Sequence, residues 1–411
     1  MNREVVVTGM SIWSPFGRGN QAFWDALRKP HAEPKPITRF SVEHKVFRSR
    51  TAASIDEIQP ESVGDAEDSI HEVVCWVLDD LRANAGLTHD PGDVSAYDTG
   101  VSIGSSQSTT GLFREYLRDN FAYLNNNKHM EARRWLASGS MAAQIAAQVG
   151  AQGPGQMIST ACASSTSAIG IAYNAIRSGR LRRAYAGGIG YFTELTFSGF
   201  NILRLTSTGG CKPFDQHRDG IMFGDSVALV VLEDAETAAR RGARLLARIA
   251  GYASGNEAFH ATSPAPDGDA AYHVMWNALG RSPELLARLD YINAHGTGTP
   301  VNDKTELIAI RRLLQMRDGG GPVAISSTKG HHGHALGAAG AMEFIATILA
   351  MQNDVAPCTA GLTEPEPGFT DLNLVMGAPQ SMKIRLALSN SFAFGGNVAS
   401  LAIESLAGDN R

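Results

Sequence analysis

An α/β fold is what this chain predicts, on three observations. Short apolar runs that read as buried strands recur along it and alternate with longer stretches at helical spacing. Two stretches echo each other: MISTACASSTSAIGIAYNAI (157–176) and AISSTKGHHGHALGAAGAMEFI (324–345) both run strand, Ser-Thr, loop, then an Ala/Gly-rich helix. Such an echo suggests two related α/β halves packed face to face. The chain has 411 residues with 43% hydrophobic and 19% charged content, enough for two to three domains' worth of core in an ordinary globular protein.

In order, EVVVTGMS (4–11) reads as a buried strand, because Val5, Val6 and Val7 are consecutive. KPHAEPKPITRF (29–40) holds three prolines and reads as a loop. A helix is expected over 68–87, where Ile70, Val73, Val74, Val77, Leu78 and Leu81 fall at helical spacing and Gly86 sits near the end. GVSIGSS (100–106) is a strand leaving into a Gly/Ser turn, and SMAAQIAAQVG (140–150) a small-residue helix closed by Gly150. RAYAGGIG (183–190) and SVALVVLED (226–234) are strands, the second followed by a polar helix in AETAARRGARL. The second half repeats the style. ARIAGYAS and LDYINAHG are strands; residues 323–351 run strand, loop, helix; residues 385–404 form two strands around a glycine turn. RDGGGP (317–322) and residues 353–369 are surface loops.

Bulk chemistry excludes several classes. The formal charge of −5 argues against nucleic acid or a membrane surface as partner. No run approaches the roughly 18 apolar residues of a membrane span, and the N-terminal apolar run ends at Thr8-Gly9, too soon for a signal peptide. Cys75, Cys162, Cys211 and Cys358 are scattered without a C-x-x-C pair, which fits a reducing cytoplasm and not a zinc or disulfide framework. Gly187 to Gly190 form neither G-x-G-x-x-G nor a P-loop.

Four windows can carry chemistry. Cys162 follows a strand, opens a helix and is flanked by Ala161, Ala163, Ser164 and Ser165, which leave room for a substrate chain. Amides at a helix start are expected to lower its thiol pKa; the competing reading is a small buried hydrophobe. His295 lies just past a strand before Gly-Thr-Gly-Thr-Pro, and alternation lets Thr297 and Thr299 face one polar ligand. Lys329, His331, His332 and His334 fall within six positions. With no nearby carboxylate or cysteine to complete a first shell, a metal is disfavoured. The favoured reading is His334 at a helix start, Lys329 as a fixed charge, and His331 and His332 in the loop. Phe394 before Gly395-Gly396 is either a swinging gate or the aromatic plug of a hairpin.

Taken together, VVVTGM, TACASS, CKPFDQHRDGIMFGD, NAHGTGTP, SSTKGHHGHALGAAGA and NSFAFGG resemble, nearly end to end and in order, the elongating β-ketoacyl-acyl carrier protein synthases of the thiolase superfamily. The resemblance implies a thiolase-like fold, two related βαβαβ halves forming a five-layered α-β-α-β-α core, with residues 1–240 carrying Cys162 and 241–411 carrying His295 and His334. It implies that Cys162 is the acyl-accepting nucleophile and that His295 and His334 are the two histidines. Lys329 and its acidic partner Glu343 would orient and tune the site. Phe394 would be the gate, and Thr297 and Thr299 would hold the phosphopantetheine arm. The implied reaction is a decarboxylative Claisen condensation with malonyl-acyl carrier protein, needing no metal or other cofactor. The implied partners are acyl carrier protein and a second copy or a chain-length-factor-like subunit.

Three positions depart from that pattern. Gln107 stands at the deep end of the implied acyl pocket, where a small or aliphatic residue is usual, which suggests a shorter pocket or a polar or unsaturated substrate. IDEIQPESVGDAED (55–68) is acidic where relatives present Lys and Arg to an acidic carrier protein, so docking must rely elsewhere: the candidates are Lys128, Arg133, Arg134 and Arg204, the last matching a family docking position, or a basic patch supplied by a partner subunit. The turn FGGNVAS places Asn397 and Val398 where Gly-Gly is usually followed by Thr-Asn. Gln107 and the acidic stretch favour a type II polyketide or polyene enzyme over a housekeeping fatty-acid synthase homodimer. A non-catalytic partner chain would lack the nucleophile. A degradative thiolase would carry a second cysteine in its C-terminal glycine turn, and FAFGGN has none.

Overall fold

The computed structural model describes residues 2–43, 47–58, 63–87, 94–106 and 140–406. Gln107, Lys128, Arg133 and Arg134 lie outside the described residues.

The fold is a topological repeat. In the first half, strands β1 (Val5–Ser14), β2 (Thr99–Gly104), β3 (Gly155–Ile158), β4 (Arg183–Gly190) and β5 (Ser226–Asp234) lie in the order β3-β2-β4-β5-β1. In the second, β6 (Ala247–Asn256), β7 (Tyr291–Asn293), β8 (Ala324–Ser326), β9 (Leu386–Phe392) and β10 (Asn397–Glu404) lie in the order β8-β7-β9-β10-β6. Both therefore read 3-2-4-5-1 by position in the half. Both pair parallel, parallel, antiparallel, antiparallel from the same edge. The strands of the two halves meet where Val6 pairs with Arg248 and Val7 with Ala247. The echo between 157–176 and 324–345 thus marks equivalent places: β3 and β8 correspond, and each leads into a helix at the molecule's centre.

Those helices are α3 (Ser164–Arg177) and α7 (Ala339–Asn353). Helix α7 is buried on every side over residues 339–351, Glu343 and Thr347 included, and is otherwise apolar, as expected of a helix with no solvent face. It packs on β1, β4, β5 and β9, and α3 packs on β2, β4, β6 and β10, so each touches both sheets. Outside, α1 (Val63–Asn84) and α2 (Ser140–Val149) cover the first sheet; α4 (Glu194–Ile202) follows β4; α5 (Asp269–Ala278) covers the second sheet, with α6 (Pro300–Gln315) against it. The result is five layers, α-β-α-β-α. Burying Phe344, Ile345, Ile348 and Leu349 in the middle layer stabilises by about 1.5–3 kcal/mol per side chain.

The middle layer is tight. A Cβ on Gly340 of α7 would lie 1.9 Å from Thr166 Oγ1 of α3, so glycine is required for the helices to approach. Ala341 N donates to Ser165 Oγ at 2.9 Å, and Thr166 Oγ1 lies 2.7 Å from Ser391 Oγ of β9. This contact fixes the start of α3 against the second half.

Several element expectations shift. The helix expected over 68–87 starts at Val63 and ends at Asn84, and Gly86 (φ +68°) turns the chain after it. The proline-rich loop contains a two-residue strand, Lys35–Pro36, paired with Thr51–Ala52. The polar helix after β5 is only Ala235–Arg240. Among the described residues no helix is long and apolar enough to cross a membrane.

Candidate active site

The turn ahead of α3 carries the sulfur. The strand β3 ends at Ile158, and a 3-10 turn, Ala161–Ala163, intervenes before α3 begins at Ser164. Ala161 is held at φ +48°, a strained value for a residue with a Cβ. Ser164 Oγ holds this elbow by donating to Ala161 O at 2.6 Å and accepting from Thr160 N at 3.0 Å. Cys162 is 9% exposed, with its sulfur facing the backbone N–H groups of Cys162 and Phe394.

The expected drop in the thiol pKa is not found. Burial pushes the Cys162 thiol up to about 11; the Lys329 ammonium and the two amides offset burial only in part, and Glu343 adds to it. The reason is burial: the sulfur sits in the enclosed turn ahead of α3, where loss of water disfavours the thiolate more than the nearby positive charge and amides favour it.

The imidazoles come from the other half. His295 follows β7 directly, and its loop is held by two buried carboxylates of α6. Glu306 accepts from His295 N and Gly296 N, both at 2.8 Å. Asp303 accepts from Thr297 N at 2.9 Å, from Gly298 N at 3.1 Å and from Phe214 N at 2.9 Å, and lies 3.5 Å from Arg218 Nε. Burial raises Asp303 and pushes Glu306 up to about 7, against these donors. Neither carboxylate was anticipated from the sequence. The available signal was their i, i+3 spacing at the start of a helix opened by Pro300.

His334 is placed differently from the expectation. His331 and His332 are in a short helix, Lys329–His332, and His334 follows in extended backbone bridged to Phe223. His331 bonds Lys29 O at 2.8 Å and His332 bonds Thr328 Oγ1 at 3.0 Å, so both are tied into the structure away from the cleft. Burial first, then the Lys329 charge, holds His295 and His334 well below the usual histidine range, so both rings are neutral. Their centroids are 5.5 Å apart at 86°.

Their tautomers follow from their partners. Lys329 Nζ lies 3.2 Å from His295 Nδ1, and Leu336 N donates to His334 Nδ1 at 3.0 Å. Each Nδ1 therefore accepts, and the proton of each neutral ring resides on Nε2. Lys329 is fully buried; it also donates to His295 O at 2.5 Å and to Glu343 Oε1. Burial pushes Glu343 up to about 7, opposed by the Lys329 ammonium.

The sulfur and both imidazoles line one cleft of about 900 Å3, solvent at its mouth included. Cys162, His295, His334, Thr297, Thr299 and Phe394 all border it. Thr297 Oγ1 and Thr299 Oγ1 are 2.9 Å apart on its wall. The Phe394 ring stacks on Phe200 at 5.6 Å and 15°. Phe200, Leu205 and the segment from Glu257 to Pro264 also contribute and were not singled out in the sequence. Lys329 and Glu343 lie behind the imidazoles, not in the lining. Arg204 is exposed (φ +57°) and outside the lining, next to Ile202 and Leu203, which are 75% and 53% exposed. No group of three or more His, Cys, Asp or Glu able to hold a metal occurs among the described residues.

A five-layered repeat with a cysteine at the central helix elbow and this cleft is the architecture of the acyl-transferring condensing enzymes. Comparison with known proteins narrows the class. The sequence model of the β-ketoacyl synthase N-terminal domain matches residues 2–238, and that of the C-terminal domain matches 246–363. The chain belongs to the β-ketoacyl synthase family. It is 33% identical to the tetracenomycin polyketide synthase ketoacyl synthase alpha subunit of Streptomyces glaucescens, over 96% of this chain and 95% of that one. It is 32% identical to 3-oxoacyl-[acyl-carrier-protein] synthase 2 of a Synechocystis strain, over 98% of each. Among solved structures it superposes with TM-score 0.88 and 27% identity on a type II polyketide ketosynthase in complex with its acyl-carrier protein, covering 99% of this chain and all of that one. With the ishigamide ketosynthase/chain length factor the TM-score is 0.84 at 28% identity, covering 98% and 100%.

Proposed function

We propose that this chain condenses an acyl group held on Cys162 with malonyl-acyl carrier protein, releasing CO2 and 3-oxoacyl-acyl carrier protein. In the first step the Cys162 sulfur attacks the carrier thioester, and the thiol proton leaves with the departing carrier thiol. The N–H groups of Cys162 and Phe394, which face this sulfur, suit the oxyanion of the tetrahedral intermediate. In the second step the malonyl carboxylate leaves as CO2 and the resulting enolate carbon attacks the acyl-Cys162 ester. The Cys162 sulfur departs and takes up a proton.

The observation that carries this reading is that the neutral rings of His295 and His334 border the cleft with Cys162, both bearing a proton on Nε2. Two neutral N–H donors stabilise an enolate oxygen without a metal or other cofactor. Lys329 and Glu343 position His295 from behind, Thr297 and Thr299 bind the amides of the phosphopantetheine arm, and Phe394 gates the cleft. The division into a nucleophile-bearing half, 1–240, and an imidazole-bearing half, 241–411, belongs to the same reading, as does a cytoplasmic location.

The relatives divide at almost equal identity between polyketide and fatty-acid enzymes. Gln107 and the acidic stretch 55–68 favour the type II polyketide or polyene reading, with a chain-length-factor-like partner; the alternative is a fatty-acid synthase homodimer. A carrier protein would approach over Arg204. Purifying the chain from its host and measuring the intact mass of the acylated subunit tests this directly. A Cys162-linked acyl group and a second, different subunit support it; a chain that takes no acyl group from any carrier thioester overturns it.

A further inference from the structure

The gate turn is built almost wholly of backbone, and two asparagine side chains hold it. The turn runs from Ala393 to Gly396, between β9 and β10. Gly395 and Gly396 have φ of +77° and +74°, so consecutive left-handed residues leave the turn without a side chain to fix it. Asn256 ends β6 and Asn397 begins β10, and the two are directly opposite each other in the antiparallel ladder. Asn256 Nδ2 donates to Gly395 O at 2.8 Å, and Asn397 Nδ2 donates to Phe394 O at 3.3 Å. The two carbonyls immediately after the Phe394 Cα are therefore each held by an amide from one cross-strand pair.

The pair is itself anchored. Asn256 Oδ1 accepts from Ala258 N at 2.8 Å, which fixes its amide plane. Around it, Glu257 N donates to Gly396 O and Gly395 N donates to Ala261 O, both at 2.8 Å. What these bonds orient is chemically specific. The N–H of Phe394 faces the Cys162 sulfur, and the Phe394 ring lies on Phe200 across the cleft lining.

We infer that Asn256 and Asn397 are positioning residues that hold the Phe394 turn in the conformation presenting its N–H to the sulfur and its ring to the cleft. This rests on the proposed roles of Cys162 and Phe394. Without the two donors, the glycine turn samples conformations in which that N–H points elsewhere and the thiol is less shielded.

The test uses the intact chain with Asn256→Asp and Asn397→Asp, singly and together. Aspartate is isosteric, and at position 256 it keeps the acceptor for Ala258 N while removing the donor to Gly395 O. The expected result is a condensation kcat lowered by about threefold to tenfold per variant, with KM for the acyl substrate unchanged. Alkylation of Cys162 by iodoacetamide, followed by intact mass, should accelerate by a similar factor, with an unchanged thermal midpoint. Variants that match the parent in both kcat and alkylation rate overturn the inference. So does a lowered midpoint with alkylation accelerated equally at Cys358, which would report general loosening. Alkylation does not require condensing activity, so a chain that fails to condense at all would overturn the proposed function while leaving this readout intact.

Discussion

Lys329 Nζ lies 3.2 Å from Nδ1 of His295 and donates to the carbonyl oxygen of the same residue at 2.5 Å. A lysine ammonium has only donors, so the ring nitrogen it faces must accept. One buried cation thereby fixes which nitrogen of His295 carries the proton, adds to burial in keeping the ring from charging, and pins the backbone after β7.

Loss of that cation is expected to act twice. Lys329→Met leaves Glu343 buried and uncompensated, at a cost of about 3–5 kcal/mol in urea unfolding. Replacing both partners, Lys329→Met with Glu343→Leu, should recover most of that stability and none of the condensation rate, because His295 Nδ1 still lacks its donor. Recovery of both together would remove Lys329 from the positioning of His295.

Cys162→Ala should take no acyl group from a carrier thioester, as read by intact mass. Cys162→Gln should still decarboxylate malonyl thioester, because His295 and His334 are untouched. Labelling of the alanine variant, or loss of decarboxylation in the glutamine variant, would contradict the division of labour proposed here.

The raised thiol sets a pH signature. With the group at about 11, the thiolate fraction at pH 8 is about one in a thousand, and alkylation of Cys162 should rise about tenfold per pH unit without a plateau before pH 10. The stability sign follows from protons bound. Between the free-thiol value of 9.0 and about 11 the native state holds the proton that the unfolded chain has lost. The associated stability is present below pH 9 and is lost as pH rises through that window, by about 2–3 kcal/mol. Cys162→Ala should flatten this part of the unfolding profile.

Gly340→Ala tests the middle layer. Its Cβ would meet Thr166 Oγ1 at 1.9 Å, so α3 and α7 must separate, at about 1–3 kcal/mol. Because α3 carries the Cys162 elbow, kcat should fall as well. An active variant with an unchanged thermal midpoint would mean that the two helices are not rigidly coupled.

Arg204→Glu and Ile202→Asp test carrier docking. Each should lower kcat/KM for a carrier-borne substrate by about tenfold, and by much less for a small pantetheine thioester, which needs no protein surface. Equal losses for both substrates would place the effect in the cleft instead.

The strands, the central helices and the echo between 157–176 and 324–345 were legible because buried apolar runs and small-residue helices are local patterns. Cys162, His295, His334 and Phe394 were legible as motifs, each within a few residues of a turn. Asp303 and Glu306 were not, because a carboxylate that caps another element's backbone looks, in sequence, like any helix-start acid. Of the 331–334 cluster, His334 was expected at a helix start; it borders the cleft in extended backbone, and the helical residues are His331 and His332.

By itself, the sequence determined the alternation of elements, the duplicated plan and the residue types able to do thiol and imidazole chemistry. Only the tertiary structure decided that those groups share one cleft, that both rings protonate on Nε2, and that the thiol is raised instead of lowered. For the thiol, protonation depends on burial and on the charge of Lys329, more than a hundred positions away in the chain, and no local spacing encodes either.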